Sequence, residues 1–220
     1  MIPLEDNFSD IISKAQHGLR LTDTELAEKA RVNSQTLRKL REGEFDELAL
    51  LRIAPALGLA ARALSELATG AWQPKTIPKL DGFAQFHTHY HDIAVNSYLV
   101  WDPKSKEAAV FDTGGDCAEM LRLVADENLN IKLILLTHGH ADHIAALAQL
   151  KLKTKAPVYA SEHEEVSGAE LIEEGKAFCV GKIDIDTRLT WGHSRGGLTY
   201  VVNGLARKLA IVGDSLFAGS

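Results

Sequence analysis

The pattern of apolar and polar positions divides the chain into two parts. Up to residue 70, apolar residues recur at helical spacing and strand-like alternation is absent. This part predicts five short helices, over Phe8 to Gln16, Asp23 to Ala30, Ser34 to Arg41, Asp46 to Leu57 and Arg62 to Leu67. A small all-α domain over residues 1–70 is therefore expected, followed by a linker over residues 71–79 that contains two prolines, and by an α/β domain over residues 80–220.

Polar residues and glycines at the ends of the helical segments support these helices. Thr22 and Glu25 form a capping box before the second segment, and Asn33 is suited to cap the third. Gly43 and Gly58 supply stops after the third and fourth segments. The first part of the chain therefore predicts a compact helical bundle with a helix-turn-helix at its centre.

The segment from Thr137 to His143 carries four side chains that can bind a metal, directly after the apolar run Ile131 to Leu136. On a helix, positions i and i+2 diverge by about 200°, whereas at the end of a strand they point to the same side. A strand that stops and turns here would bring all four groups together. Imidazoles and a carboxylate suit a transition metal, and the alternative is a solvated turn rich in histidine. The four residues are His138, His140, Asp142 and His143.

Two later segments repeat this layout. His193 lies in a glycine-flanked turn just before the strand-like run Leu198 to Val202, and Asp214 follows the apolar run Leu209 to Val212. Taken alone, the first could be an ordinary loop histidine and the second could cap a turn. Together with the first motif, they indicate the remainder of a metal site.

In this order, the three segments resemble the metallo-β-lactamase fold superfamily, and within it the glyoxalase II-like hydrolases and the related persulfide dioxygenases. The resemblance covers residues 80 to 220 and includes Asn96 to Val100 and Ala109 to Gly115, which are similar to the family's opening strands and Asp-x-Gly loop. It implies an αββα fold. Members normally continue past the Gly-Asp-x-Leu-Phe segment to a further His, a strand and a helix, so we expect a C-terminally incomplete form of that fold.

The resemblance also implies a ligand set for two cations. The two zinc ions, with iron or manganese as alternatives, would hold a hydroxide that attacks a thioester or other acyl carbonyl, since metals lower the pKa of bound water from 15.7 to about 7. The catalytic centre would include His138, His140 and Asp142. The first cation is expected at His138, His140 and His193, and the second at Asp142 and His143, with Asp214 as the bridge and Asp112 fixing the tautomer of a ligand histidine.

Two further functions stay open at this stage. A persulfide dioxygenase with a single iron would use the two histidines of the first motif with His193 and Asp214, leaving positions for oxygen and a thiol-derived substrate. Alternatively, the metal domain senses a ligand and the helical domain binds an operator, which makes the protein a transcriptional regulator.

The stretch from Leu21 to Leu37 resembles the lambda-repressor-like helix-turn-helix domains, although Arg31 stands where such motifs usually place a glycine. Residues 1–75 carry 10 Lys and Arg against 11 Asp and Glu, which is not the strongly basic balance of a non-specific DNA-binding module. Specific binding of duplex DNA as a homodimer is one interpretation, and dimerisation or domain packing is the other. The expected DNA contacts are Ser34, Gln35, Arg38, Lys39 and Arg41.

Composition agrees with a globular enzyme. The chain has 220 residues, 45% of them hydrophobic, which suffices for a buried core, and its formal net charge is −6. No apolar stretch approaches the roughly 18 residues of a membrane helix, and the acidic N-terminus is unlike a signal peptide, so we expect a cytoplasmic protein without membrane contact.

Two other polar clusters are interpreted as surface features. His87, His89 and His91 would share one face of a strand, where they could form an extra metal site but are more simply surface or pocket-lining residues. Glu162 to Glu165 and Glu170 to Glu174 would form a solvated helical face.

Overall fold

The structure, a computed structural model, describes Leu4, residues 6–75 and residues 78–216. The chain divides into two compact units, one within residues 1–76 and the other within residues 77–216. The centre of the expected linker, the last four residues of the Gly-Asp-x-Leu-Phe-x-Gly-Ser segment and most of the acidic N-terminus lie outside the described residues. Within the part that the structure describes, no helix is long and apolar enough to cross a membrane.

The described part of the first unit consists of five helices in succession. Each lies within two residues of a segment that the apolar pattern predicts. The capping box of Thr22 and Glu25 is formed, and Asn33 caps the third helix by accepting a hydrogen bond from the amide of Thr36 at 2.7 Å. The helices are α1 Phe8–Gly18, α2 Asp23–Ala30, α3 Ser34–Arg41, α4 Glu47–Ala56 and α5 Ala61–Ala68.

Arg31 ends α2 in the left-handed conformation, with φ 54° and ψ 46°. A side chain at such a backbone position costs about 1 kcal/mol relative to glycine. The apolar sides of the helices meet in one core, in which Leu26, Leu37, Leu50 and Ile53 are fully buried. Burial of these side chains offsets the unfavourable turn.

The second unit contains a six-stranded sheet whose strands follow one another in chain order. The first two pairings along the sheet are antiparallel, and the remaining three, which join the third to the sixth strand, are parallel. Three helices connect the parallel strands: α6 Ala118–Asp126, α7 Ala141–Ile144 and α8 Leu147–Thr154. The strands are β1 Phe83–Tyr90, β2 Ile93–Trp101, β3 Glu107–Phe111, β4 Asn130–Leu135, β5 Val158–Ser161 and β6 Glu170–Ile172.

A second sheet, of four antiparallel strands in the order β10-β9-β8-β7, follows within the described residues. A 3-10 turn at Gly213–Ser215 comes directly after its last strand. The strands are β7 Ala177–Val180, β8 Ile183–Leu189, β9 Leu198–Asn203 and β10 Leu209–Ile211.

Side chains that alternate between the two faces of the six-stranded sheet produce two hydrophobic cores. Val110 and Ile134 face the side that packs against α6 and α8. Their neighbours Phe111 and Leu135 face the second sheet, where the ring of Phe111 meets that of Tyr200 with centroids 5.4 Å apart. The described layers are therefore helices, sheet and sheet. This confirms the predicted mixed α/β class.

The predicted helical face of acidic residues is wrong. Glu162 to Glu165 lie in a turn after β5, while Glu170 begins strand β6, which pairs with β5. Long-range strand pairing here outweighs a local pattern of charges that is compatible with a helix.

Two smaller expectations also need correction. Asp142 and His143 lie on the one-turn helix α7 instead of in a continuous turn. His91 lies beyond the end of β1, in the β1–β2 turn with φ 52°, and so does not share a strand face with His87 and His89.

Candidate metal centre

The residues of the two histidine motifs come together because several strands end at the same edge. Asp112 follows β3, and the segment Thr137 to His140 follows β4, which is parallel to β3. From the second sheet, the β8–β9 loop supplies His193 and the turn after β10 supplies Asp214. Loops at the carboxyl ends of parallel strands are where α/β proteins place their sites.

Three imidazoles converge at the surface of this edge. Nδ1 of His140 lies 3.1 Å from Nε2 of His138 and 2.9 Å from Nε2 of His193. His138 is buried, whereas His140 and His193 are exposed. Three nitrogens thus face one point that is open to solvent on one side.

Thr137 fixes the orientation of His138. Its amide and its hydroxyl donate to the two oxygens of Asp112, each at 2.7 Å. With its proton committed to Asp112, the Thr137 hydroxyl can only accept from Nδ1 of His138, which lies 3.0 Å away. The lone pair of His138 is then on Nε2, the atom that faces His140.

Asp112 plays the same part for His143. Its Oδ2 accepts from Nδ1 of His143 at 2.9 Å, and both side chains are almost fully buried. Nε2 of His143 is left to face Asp214 at 3.2 Å and Asp142 at 3.5 Å. Asp112 itself has φ 53°, a left-handed backbone that is tolerated by Asp and occurs at functional sites.

Two donor sets share the space between these residues. The ligand atoms of His138, His140 and His193 lie within 4.8 Å of one another, and so do those of His138, His143 and Asp214. The two oxygens of Asp214 face different sets, with Oδ2 lying 3.3 Å from Nε2 of His193. Asp142 lies beside the second set and contacts it through His143.

Burial and charge fix the protonation of the cluster. Burial and the charge of His143 lower the pKa of His138 to about 4. Burial also opposes the charge on His143, but Asp112 and Asp214 outweigh it and raise the pKa of His143 to about 11. Burial would raise the pKa of Asp214, yet the hydrogen bond and charge of His143 lower it to about 2. Without metal at neutral pH, His138 is neutral, His143 is protonated and Asp214 is ionised.

This chemistry fits a bound transition metal. Two imidazole nitrogens on one tetrahedral zinc ion, each about 2.05 Å from it, are about 3.3 Å apart. The spacings of 3.1 and 2.9 Å around His140 are close to that value. Facing lone pairs at these distances repel unless a proton or a cation lies between them, and the mixture of imidazole and carboxylate suits zinc or iron.

Glu164 is a part of the site that sequence reasoning missed. It follows β5, and its carboxylate accepts from the amides of Gly139 at 2.9 Å and Gly196 at 2.8 Å. Burial raises the pKa of Glu164, but the nearby hydroxyl of Ser194 and the hydrogen bonds from the amides of Gly196 and Gly139 lower it overall. Glu164 is therefore an ionised link between the two histidine loops.

An open cavity of about 370 Å³ lies against the cluster. His140 and His193, two of the three imidazoles of the first donor set, line it. The same cavity is lined by Trp191, which is 74% exposed, and by the exposed side chain of Arg195. An apolar ring and a cation are thus available to a molecule that reaches the histidines.

The predicted DNA-contacting residues lie on α3, and their exposure differs. Ser34, Gln35, Arg38 and Lys39 are exposed, although Lys39 pairs with Glu44 at 2.7 Å. Arg41 is half-buried and is held by Asp23 through two hydrogen bonds of 2.6 and 2.9 Å. Intramolecular pairing therefore already occupies Arg41.

Sequence comparison places the part of the chain that carries the metal-binding motifs in a known family. The family model for the metallo-beta-lactamase superfamily matches residues 92–220. The hydroxyacylglutathione hydrolase GloC of Haemophilus influenzae is 30% identical over 146 residues, which cover 56% of this chain and 68% of that protein. The mitochondrial persulfide dioxygenase ETHE1 of Bos taurus is 32% identical over 124 residues, which cover 54% of this chain and 47% of that protein.

A solved structure agrees on the fold. The crystal structure of a metallo-beta-lactamase from Staphylococcus aureus matches 60% of this chain and 43% of its own, with 23% identity and a TM-score of 0.51. The chain therefore belongs to the metallo-β-lactamase superfamily.

Proposed function

We propose that the protein uses two metal ions, most simply zinc, to hydrolyse a thioester or a related small acyl substrate, as the name of its hydroxyacylglutathione hydrolase relatives suggests. One observation carries the proposal: two sets of donor atoms meet at Asp214, whose oxygens lie 3.2 Å from His143 and 3.3 Å from His193. A single carboxylate whose two oxygens face different donor sets can bridge a pair of cations, as in the two-metal sites that clamp a reacting oxygen.

The donor atoms divide between the two positions. The three imidazoles of His138, His140 and His193 would hold the first ion, and His143 with Asp142 would hold the second, while Asp214 spans both. Metal ions so bound supply a water of lowered pKa and stabilise the charge that develops on the acyl oxygen and the leaving thiolate.

The protein's own residues orient these groups. Asp112 holds Nδ1 of His143, and through Thr137 it also holds His138, so both imidazoles present a fixed nitrogen. The substrate would enter through the cavity beside His140 and His193. There Trp191 offers apolar contact and Arg195 offers a positive charge.

The test uses the full chain loaded with zinc and a hydroxyacyl-glutathione thioester, with thiol release as the signal. We expect hydrolysis that a chelator abolishes and that added zinc restores. His140→Ala should lower kcat/KM by at least a hundredfold and remove bound metal, whereas His91→Ala, in the β1–β2 turn, should leave both unchanged. Zinc-loaded protein that cleaves no thioester would overturn the proposed substrate class.

A persulfide dioxygenase is the second candidate, and the similarity to the Bos taurus enzyme favours it. In this case a single iron would bind to His138, His140, His193 and Asp214. The discriminating measurement is oxygen uptake by iron-loaded protein with glutathione persulfide, compared with thioester cleavage by the same preparation. Oxygen uptake without cleavage would select the dioxygenase.

For residues 1–70 we propose a separate domain that binds a specific DNA duplex as a dimer. The proposal is supported by the exposed polar side chains of Ser34, Gln35 and Arg38 on one helix. Selection from random duplexes at low salt should enrich one sequence, and Arg38→Gln should weaken that binding about tenfold. If no sequence is enriched, the helical unit serves dimerisation or packing instead.

A further inference from the structure

Two loops from different sheets carry the histidines of the first donor set. The loop after β4 holds His138 and His140, and the β8–β9 loop holds His193. The three imidazoles can meet one cation only if these loops keep a fixed separation, because a tetrahedral ion tolerates little variation in ligand distance.

Glu164 joins these loops through one carboxylate. Its Oε2 accepts from the amide of Gly139 at 2.9 Å, and its Oε1 accepts from the amide of Gly196 at 2.8 Å. Each oxygen thus binds a different histidine loop. Gly139 lies directly between His138 and His140, and Gly196 lies three residues after His193.

The contact with Glu164 requires glycine at both positions. A Cβ on Gly139 would lie 2.8 Å from Oε2 of Glu164, and a Cβ on Gly196 would lie 2.6 Å from its Cγ. At Gly196 the side chain of Ser161 would also be met at 2.8 Å. Absence of a side chain at both positions lets the carboxylate reach the two backbones at once.

We propose that Glu164 is a positioning residue that sets the distance between the two histidine loops and thereby the geometry of the first cation site. The inference rests on the proposed metal centre. Glu164 acts through the amides of Gly139 and Gly196 and does not itself supply a ligand. Residues that orient ligands in this way typically contribute 10- to 100-fold to metal affinity.

The test measures zinc affinity of the full chain by competition with a chelating chromophore, and the visible spectrum of the cobalt-loaded protein. Glu164→Ala removes both acceptors, while Glu164→Gln keeps one oxygen and turns an amide group toward the other N–H. Glu165→Gln is the matched control, since Glu165 is an exposed neighbour in the same turn.

We expect Glu164→Ala to bind zinc at the tighter site at least tenfold more weakly and to shift the cobalt bands, with Glu164→Gln intermediate and Glu165→Gln within twofold of the wild type. A Glu164→Ala protein with wild-type affinity and spectrum would overturn the positioning role. If Glu164→Ala does not fold, as judged by circular dichroism, Glu164→Gln decides by the same two measurements.

These outcomes separate the inference from the proposed function. If the wild-type protein binds neither zinc nor cobalt, the proposed metal centre itself is overturned. Wild-type protein that binds metal, together with Glu164 variants that bind it equally well, would overturn only the role of Glu164.

Discussion

Asp112 and His143 form a buried pair, with Oδ2 of Asp112 2.9 Å from Nδ1 of His143 and exposed fractions of 1% and 3% for their side chains. The pair links a left-handed residue after β3 to a one-turn helix after β4. Because Nδ1 is committed to Asp112, Nε2 of His143 is directed toward Asp214 at 3.2 Å. A carboxylate behind the imidazole thus determines which nitrogen reaches the candidate metal.

Asp112→Asn should weaken metal binding while preserving the shape of the side chain. The amide has one oxygen instead of two, so it cannot serve His143 and both donors of Thr137 together. We expect affinity for zinc to fall 10- to 100-fold in chelator competition. Asp126→Asn, at the exposed end of α6, is the control and should bind zinc as the wild type does. Equal affinity of Asp112→Asn would show that His143 is oriented by other contacts.

Stability of the metal-free chain should depend on pH through His143. Its pKa rises from 6.5 to about 11 on folding, since Asp112 and Asp214 outweigh the effect of burial. Between these values the folded state binds more protons, so this stabilisation is complete below pH 6.5 and is lost as the pH rises toward 11. The melting temperature of the wild type should exceed that of His143→Gln at pH 6, and the difference should shrink by pH 10. A difference that is constant or grows with pH would contradict the protonated pair.

The cluster around His138 could be predicted because its signals are local. A run of apolar residues followed by alternating histidines is compatible with few structures other than a strand end with convergent ligands. The helices of the first unit could be predicted for a similar reason, since Thr22, Glu25 and Asn33 satisfy backbone amides within three residues of themselves.

Glu164 and Arg41 could not be assigned in this way, because their partners are distant in sequence. Glu164 reaches Gly139 only because β5 lies parallel to β4, and Gly196 only because the second sheet packs on the first. Arg41 pairs with Asp23, 18 residues earlier, through the packing of α1, α2 and α3. The local sequence at each position indicates an ordinary exposed charge.

Gly213→Ala should disturb the metal centre through Thr137. Gly213 has φ +52°, and an added Cβ would lie 2.5 Å from Oγ1 and 2.7 Å from Cβ of Thr137. We expect the free energy of unfolding to fall by about 2–4 kcal/mol, of which about 1 comes from the backbone and the rest from crowding. Gly175→Ala is the matched control, because Gly175 has φ +82° and nothing within 4 Å, and should lose about 1 kcal/mol. Equal losses in urea unfolding would exclude the crowding of Thr137.

Arg195→Gln should change substrate preference without changing the metal centre. Arg195 lines the cavity next to His140 and His193, where it can pair with a carboxylate on the acyl or thiol part of a substrate. An interaction with a charged group contributes about 1.5 kcal/mol or more, so KM for anionic thioesters should rise about tenfold. KM for a neutral thioester and the zinc content should stay unchanged. In the control Arg188→Gln, on β8, the KM for a neutral thioester and the zinc content should also stay unchanged. A parallel rise of KM for neutral and anionic substrates would assign Arg195 a structural role.

Arg31→Gly should stabilise the helical unit. Arg31 has φ 54° at the end of α2, a conformation that glycine adopts without steric cost, and its carbonyl accepts from Arg52 at 3.3 Å in a contact that glycine retains. The change should raise the free energy of unfolding of this unit by up to about 1 kcal/mol, less any part lost to the greater freedom of the unfolded chain. Arg31→Ala separates the backbone from the side chain, because alanine removes the guanidinium but keeps the strain. Hydrogen exchange of the amides in α2 and α3 follows the unit within the full chain. Slower exchange in Arg31→Gly than in Arg31→Ala is expected, and the reverse order would mean that the left-handed turn carries no strain.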